Sequence, residues 1–302
     1  MSYQWRPVPL LALLTLSFAA LLAGLVVGAL LNRRALERRR DAKITELFAG
    51  IETLPVYFRV EDTLELPEPA QRFLNRNLNE GMPAQSCVRM LESGNLRERY
   101  GQPWTEFEGE SYFTSAPVSS LCFVRLRPYP LVWIDELSLL LEGRAQLSAK
   151  LLSSLSTREL RDADTLRAAL TYYLAHLPLL PGAMLPGDDR GWRDAGEDSA
   201  CFWVRVGELE VSGVFHFDEF GNAQRFTTDA RPYTGSSKAE TKVWTATYAE
   251  HRDFGDGGDL QLPTKVELAW ELDGERFAYL DKRIDAWRLD EPHPWSKDRD
   301  AP

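Results

Sequence analysis

The longest apolar run lies at the start of the chain, where Val8 to Leu31 holds no charged residue. Wound as a helix, these 24 residues rise roughly 36 Å, enough to cross a hydrocarbon layer of about 30 Å with some tilt. Beyond it, Ile44, Leu47, Phe48 and Ile51 recur at helical spacing and predict a connector helix within 41–65. Pro67 and Pro69 suit a helix start, and the stripe Ala70, Phe73, Leu74, Leu78 runs on to Gly81. From 84 to 152 the pattern changes to short runs of aromatic and β-branched residues between Gly, Pro and Ser breaks, which predict strands. Helical spacing returns over 157–177, with Leu160, Leu166, Leu170, Tyr173, Leu174 and Leu177 on one face, Asp162 as a cap and Pro178 as a stop.

The last third reads as an antiparallel meander. Val266, Leu268, Trp270 and Leu272 alternate with Lys265, Glu267 and Glu271, and Asp273-Gly274 is a hairpin turn. No strand–helix–strand alternation occurs, which argues against a doubly wound parallel sheet. The expected fold class is α+β: an N-terminal transmembrane helix, then a curved, half-barrel-like antiparallel sheet with one long and one or two short helices packed on it. The expected division is a tail, span and basic flank in 1–40, a connector in 41–65, one β-rich domain in 66–289, and a disordered polar tail in 290–302.

Charge sharpens this division. The chain has 302 residues and a net charge of −10, yet residues 1–40 hold six basic residues and one acidic. The remainder carries 29 basic and 44 acidic residues, a net of −15. So acidic a body repels phosphate backbones, and nucleic acid is not an expected partner. Immediately after the apolar run come Arg33, Arg34, Arg38, Arg39 and Arg40, against Arg6 and the free amine on the other side. A cleaved signal peptide would have a shorter apolar region and a small-residue cleavage site, so the run reads as a retained anchor. The positive-inside rule places the Arg-rich flank and the body in the cytoplasm of a single-pass inner-membrane protein, with a periplasmic body as the alternative. Gly24 and Gly28 form a small-xxx-small pair, a spacing that can let two such helices approach closely as a homodimer or that simply reflects the glycine common in membrane helices. Cys87, Cys122 and Cys201 are odd in number and far apart, which argues against a disulfide framework or a zinc site.

Two segments carry a resemblance. Leu66-Pro67-Glu68-Pro69-Ala70-Gln71-Arg72-Phe73-Leu74 and Tyr172-Tyr173-Leu174-Ala175-His176-Leu177-Pro178 resemble the motifs of an uncharacterised bacterial family, domain of unknown function 6544. Gln102-Pro103-Trp104, Phe215 to Gly221 and the last hairpin extend the likeness over most of the body. His176 stands where the motif has an acidic residue and Tyr172 where it has a basic one, so any catalytic role of that pair would be missing here. The family implies no activity. By element order alone, the chain is also similar to lipoprotein-carrier half-barrels.

Candidate chemistry is sparse. His176 is either a general base lining a cleft or a helix C-terminal histidine favoured by the dipole. His216 and Asp218 have ligand-like spacing on a strand, but Asp218 to Asn222 also reads as turn chemistry. Asp253, Asp256 and Asp259 lack the spacing of a calcium loop. No phosphate loop, dinucleotide fingerprint, nucleophile elbow or metalloprotease motif occurs, and no metal or cofactor is expected. Nine Trp in the chain suggest a filled core first, or an aromatic ligand groove, with Trp133, Tyr173, Trp203, Trp244, Trp270 and Tyr279 as its candidate lining. The leading expectation is a membrane-anchored, non-catalytic protein binding a lipid or other hydrophobic ligand. The alternatives are an anchored hydrolase using a His/carboxylate pair, and a scaffold without a pocket.

Overall fold

The computed structural model describes residues 10–51, 55–233, 240–254 and 260–296. Helix α1 (Leu10–Ala49) is continuous through the Arg cluster, and α2 (Glu68–Asn77) follows. Six strands come next: β1 (Cys87–Leu96), β2 (Thr105–Thr114), β3 (Ser119–Tyr129), β4 (Val132–Leu141), β5 (Arg144–Leu151) and β6 (Leu155–Leu160). Helix α3 (Ala163–His176) and 3-10 turns over Leu177–Leu179 and Pro181–Met184 lead to β7 (Arg190–Asp194), β8 (Ser199–Val206), β9 (Leu209–Phe217) and β10 (Ala223–Thr228). A two-residue pair, β11 (Pro232–Tyr233) and β12 (Glu240–Thr241), stands apart, and β13 (Trp244–Phe254), β14 (Leu260–Leu272) and β15 (Glu275–Leu289) end the fold.

Thirteen of these strands form one antiparallel sheet in the order β6-β5-β4-β3-β2-β1-β15-β14-β13-β10-β9-β8-β7. The chain meanders to one edge, crosses through α3 to the other, and meanders back until β15 pairs with β1. The sheet bends hard. Register shifts insert Tyr279 and Asp285 as extra residues in β15, and such bulges increase twist. A side chain at Gly143, in the β4–β5 turn, would meet Val206 Cγ1 at 3.2 Å, so the two halves of the sheet approach each other.

Alternation decides what lies on each face. The concave face turns Met90, Phe113, Phe202, Phe215, Phe226, Trp244, Val266 and Leu268 into one core with α2 and α3. The convex face of β2–β4 is also apolar at Tyr112, Leu121, Phe123 and Leu139, and Ile44, Leu47 and Phe48 of α1 cover it. Helices therefore pack on both faces. The expected connector helix is the C-terminal part of α1, which crosses residue 40 without a break.

Three further expectations change. Residues 155–160 are an edge strand rather than the start of the long helix; the helix begins after Asp162, whose side chain accepts the Thr165 N–H at 2.8 Å. The tail is not loose as far as 296. Asp290 Oδ1 accepts from Ser86 N at 2.7 Å, and Trp295 N donates to the Tyr112 hydroxyl at 3.1 Å. Residues 297–302 lie outside the described residues. The expected span 8–31 also falls partly outside them, and among the described residues no helix is long and apolar enough to cross a membrane.

Candidate functional site

A polar cluster sits in the apolar concave core, beneath the C-terminal turn of α3. Inward register positions on adjacent strands supply Glu92 (β1), Ser111 (β2), Cys122 (β3) and Lys282 (β15). Lys282 Nζ lies 2.5 Å from Glu92 Oε2, and neither side chain is more than 1% exposed. Ser111 Oγ donates to Glu92 Oε1 at 2.8 Å, and Lys282 Nζ reaches the Tyr172 hydroxyl at 3.3 Å. Residue 94, opposite Lys282, must be glycine, because a Cβ there would lie 2.2 Å from the Asp281 carbonyl oxygen. That close approach seats β15 against β1 and brings the ammonium to the carboxylate.

Tyr172 and His176 share one face of α3, and their rings stack at 4.0 Å; the His176 ring also stacks on Phe113 at 5.3 Å. His176 Nδ1 donates to the Tyr172 carbonyl at 2.7 Å, which leaves Nε2 as an acceptor. Nε2 is buried with no hydrogen-bond partner among the described residues. Burial first, then the nearby Lys282 ammonium, hold the imidazole well below its usual pKa, so it is neutral. It is therefore not a protonated histidine answering the helix dipole. Burial likewise pushes the Cys122 thiol up to about 12 and the Tyr172 phenol well above its ordinary value. The site offers one free acceptor, a neutral thiol and a neutral phenol beside a paired ammonium, all in an apolar shell.

The other predicted residues are scattered. His216 is exposed on the outer side of β9. Asp218 works in the β9–β10 turn, accepting the N–H groups of Phe220 at 3.0 Å and Asn222 at 2.7 Å. Burial would raise its pKa, but the Asn222 side-chain amide, donating at 2.9 Å, and these backbone hydrogen bonds hold it below the usual carboxylate range, and the imidazole nearest it is that of His251 rather than His216. Asp256 and Asp259 lie outside the described residues, and among the described residues no cluster of three His, Cys, Asp or Glu is suited to a metal.

Of the six groove candidates, four meet on the concave side. Tyr173 is buried with its hydroxyl on the Thr114 carbonyl at 2.8 Å, and Trp244 Nε1 donates to the Tyr279 hydroxyl at 3.1 Å. Trp270 lies 6.5 Å from Trp244. Trp133 and Trp203 face the other way: Trp133 bonds Ser153 Oγ at 2.9 Å, and Trp203 lies between Arg193 and Arg205, each 5.2 Å from its ring. The concave side is filled by α3 and residues 177–185. Two open clefts, of about 560 Å³ beside the start of α2 and about 450 Å³ between α1 and the β4–β5 turn, lie on the surface away from these aromatics.

Arg40 is drawn off the basic flank. It pairs with Glu110 and, at 2.7 Å, with Asp41, and lies 5.3 Å from the Phe123 ring. Arg33, Arg34, Arg38 and Arg39 remain exposed.

Glu92, Lys282 and Ser111 were not among the sequence candidates. Their signal is a charge in an inward position of an alternating strand, as in Met90-x-Glu92 and Leu280-x-Lys282-x-Ile284. Only the register shows that two such charges from opposite ends of the domain meet.

No curated protein matches this chain. Among solved structures it is similar to a DUF1329 family protein from Desulfovibrio piger, at 12% identity and a TM-score of 0.40, over 76% of this chain and 93% of that one. A beta-barrel-like protein of domain of unknown function DUF1849 from Brucella abortus matches at 9% identity and a TM-score of 0.30, over 68% of this chain and 98% of that one. The family of unknown function DUF6544 matches residues 57–282, nearly the whole β-rich body, and the chain belongs to that family.

Proposed function

We propose that this protein is a membrane-anchored, non-catalytic binder of an amphiphile with an apolar chain, held on the concave face of the sheet beneath α3. The observation that carries this reading is the unpartnered Nε2 of His176, buried beside the Glu92–Lys282 pair among aromatic side chains. An orphaned buried acceptor costs about 1–3 kcal/mol. A ligand that completes it recovers that cost. Because the free group accepts, the headgroup must donate, as a hydroxyl or a protonated acid does. The apolar chain then replaces contacts that α3 makes in the closed state.

Anchoring is supported by α1. Leu14, Leu16, Phe18 and Leu21 are 60–67% exposed, a pattern suited to lipid rather than water. The exposed arginines at 33, 34, 38 and 39 then stand at the cytoplasmic headgroups and put the body in the cytoplasm. A His/carboxylate hydrolase is not favoured, because among the described residues no carboxylate hydrogen-bonds the His176 ring: Nδ1 is on the Tyr172 carbonyl, Glu92 is taken up by Lys282 and Ser111, and Asp218 is held in its own turn.

Native mass spectrometry of the full chain released from detergent micelles tests the binding. A lipid-sized adduct lost on denaturation is expected, with His176→Phe weakening retention roughly 3- to 10-fold, the worth of one neutral hydrogen bond. A chain that carries no adduct, and that neither fatty acids nor fatty alcohols stabilise against heat, overturns the reading.

A further inference from the structure

We propose that one end of the sheet, formed by the β3–β4 hairpin and the β5–β6 turn, is a lipid-contacting rim that seats the body against the bilayer. This deepens the anchor reading above and rests on it. The path of α1 is the starting point. At its C-terminal end, Gly50 lies against Pro117 of the β2–β3 turn, where a Cβ would meet Pro117 Cγ at 3.4 Å. At the other end, Asn32 Nδ2 donates to Ser154 Oγ in the β5–β6 turn at 3.0 Å. The helix thus crosses the convex face from one end of the strands to the other, and its apolar part leaves the body at the β5–β6 turn.

That turn and the β3–β4 hairpin form one surface. Leu152 N donates to the Trp133 carbonyl at 2.9 Å, and Trp133 Nε1 donates to Ser153 Oγ at 2.9 Å. The side chains presented there are apolar and uncovered: Leu131 is 93% exposed, Tyr129 72% and Leu155 63%. The β1–β2 connection opens at the same end and adds Tyr100 and Trp104, at 68% and 41%. Tyr and Trp beside aliphatic tips are the composition of a membrane–water interface.

Leu131 is doubly out of place in water. Tyr129 pairs with Val132, so Pro130 and Leu131 are the two corner residues of the hairpin. Leu131 has φ 63°, at a corner position where a turn of this kind calls for Gly or Asn. The chain keeps a bulky apolar residue where both the backbone and the solvent favour a small or polar one. A lipid surface reached by the tip makes that choice favourable, and the exposed Arg33 and Arg34 on α1 meet headgroups at the same level.

The test uses the full chain in vesicles of phosphatidylglycerol and phosphatidylethanolamine. Single variants Leu131→Cys, Leu155→Cys and Glu142→Cys are labelled with an environment-sensitive dye, with the wild-type chain labelled as background. Glu142 sits at the far end of β4. Blue-shifted emission quenched by spin-labelled lipid is expected at 131 and 155 and not at 142. Adding Leu131→Gly, which suits the turn, should reverse part of the shift at 155 while leaving the fold intact. If α1 resists alkaline carbonate extraction but the labels at 131 and 155 stay aqueous, the rim proposal fails and the anchor stands. If carbonate strips the chain from the vesicles, the anchor reading fails and the rim with it.

Discussion

The Glu92–Lys282 pair makes the sharpest energetic prediction. Its atoms are 2.5 Å apart, with both side chains essentially sealed from solvent. Among the described residues, Glu92 has the Ser111 hydroxyl as its second partner, and Lys282 the Tyr172 hydroxyl at 3.3 Å. Lys282→Met leaves a carboxylate in an apolar core with one neutral donor, and Glu92→Met leaves an ammonium facing a phenol and a neutral imidazole. Each single change should cost about 3–5 kcal/mol, because an uncompensated charge remains buried. For a domain whose total stability is about 5–15 kcal/mol, that is a large fraction. The double variant removes both charges and should recover most of the loss, ending near wild type or above it. Urea unfolding of the full chain in detergent, followed by the fluorescence of its nine Trp, measures all four corners of the cycle. Single variants each costing under about 1 kcal/mol, the range of exposed pairs, would mean that water reaches the cluster, and the premise of a sealed polar site would be wrong.

Four other outcomes follow from named contacts. Leu47, fully buried between α1 and the convex face, should cost about 2–5 kcal/mol on Leu47→Ala by the same urea assay; a loss under about 0.5 kcal/mol would mean that α1 is not docked there. His176 is held neutral when folded but titrates near about 6.5 when unfolded, so the unfolded state binds the extra proton and stability falls as pH drops below that value, by up to about 1.4 kcal/mol per unit until the folded pKa is reached. His216 and His251 are shifted the same way, so the check is the difference: His176→Phe should flatten the stability profile between pH 7 and 5, and an unchanged slope would refute it. Burial pushes the Cys87 thiol to about 11 and the Cys122 thiol to about 12, so iodoacetamide at pH 8 should modify neither until urea unfolds the chain, as peptide mass mapping would read. Leu131→Gly should raise the urea midpoint through about 1 kcal/mol of relieved backbone strain; a lowered midpoint would show that Leu131 packs on something within the body.

Local spacing and alternation already carried most of the element types, the antiparallel meander, the helix starts at Asp162 and Pro67, and the turn role of Asp218. These depend on neighbours within a few residues, where sequence periodicity and side-chain direction coincide. Family membership was legible too, because the Leu66–Leu74 and Tyr172–Pro178 segments are contiguous. What periodicity could not give was the partner of each face. Leu160 fitted a helical stripe but belongs to an edge strand, since one apolar residue satisfies both periods. Trp133 and Trp203 shared the composition of the groove candidates but fall on the convex side, because a shift of one position reverses a strand residue's face. Arg40 looked like its four neighbours, and the angle of α1 over β2 turned it to Glu110.

The charge split and the apolar first segment remain properties of the sequence alone, independent of any packing. The polar cluster is the opposite case. Glu92 and Lys282 are 190 residues apart, and their meeting depends on two meanders closing β15 onto β1 and on Gly94 letting the backbones approach. His176 was visible as a residue, but its state was not. Whether an imidazole at a helix end is charged, paired or orphaned depends on what covers it, and that was decided only when α3 was laid across the concave sheet.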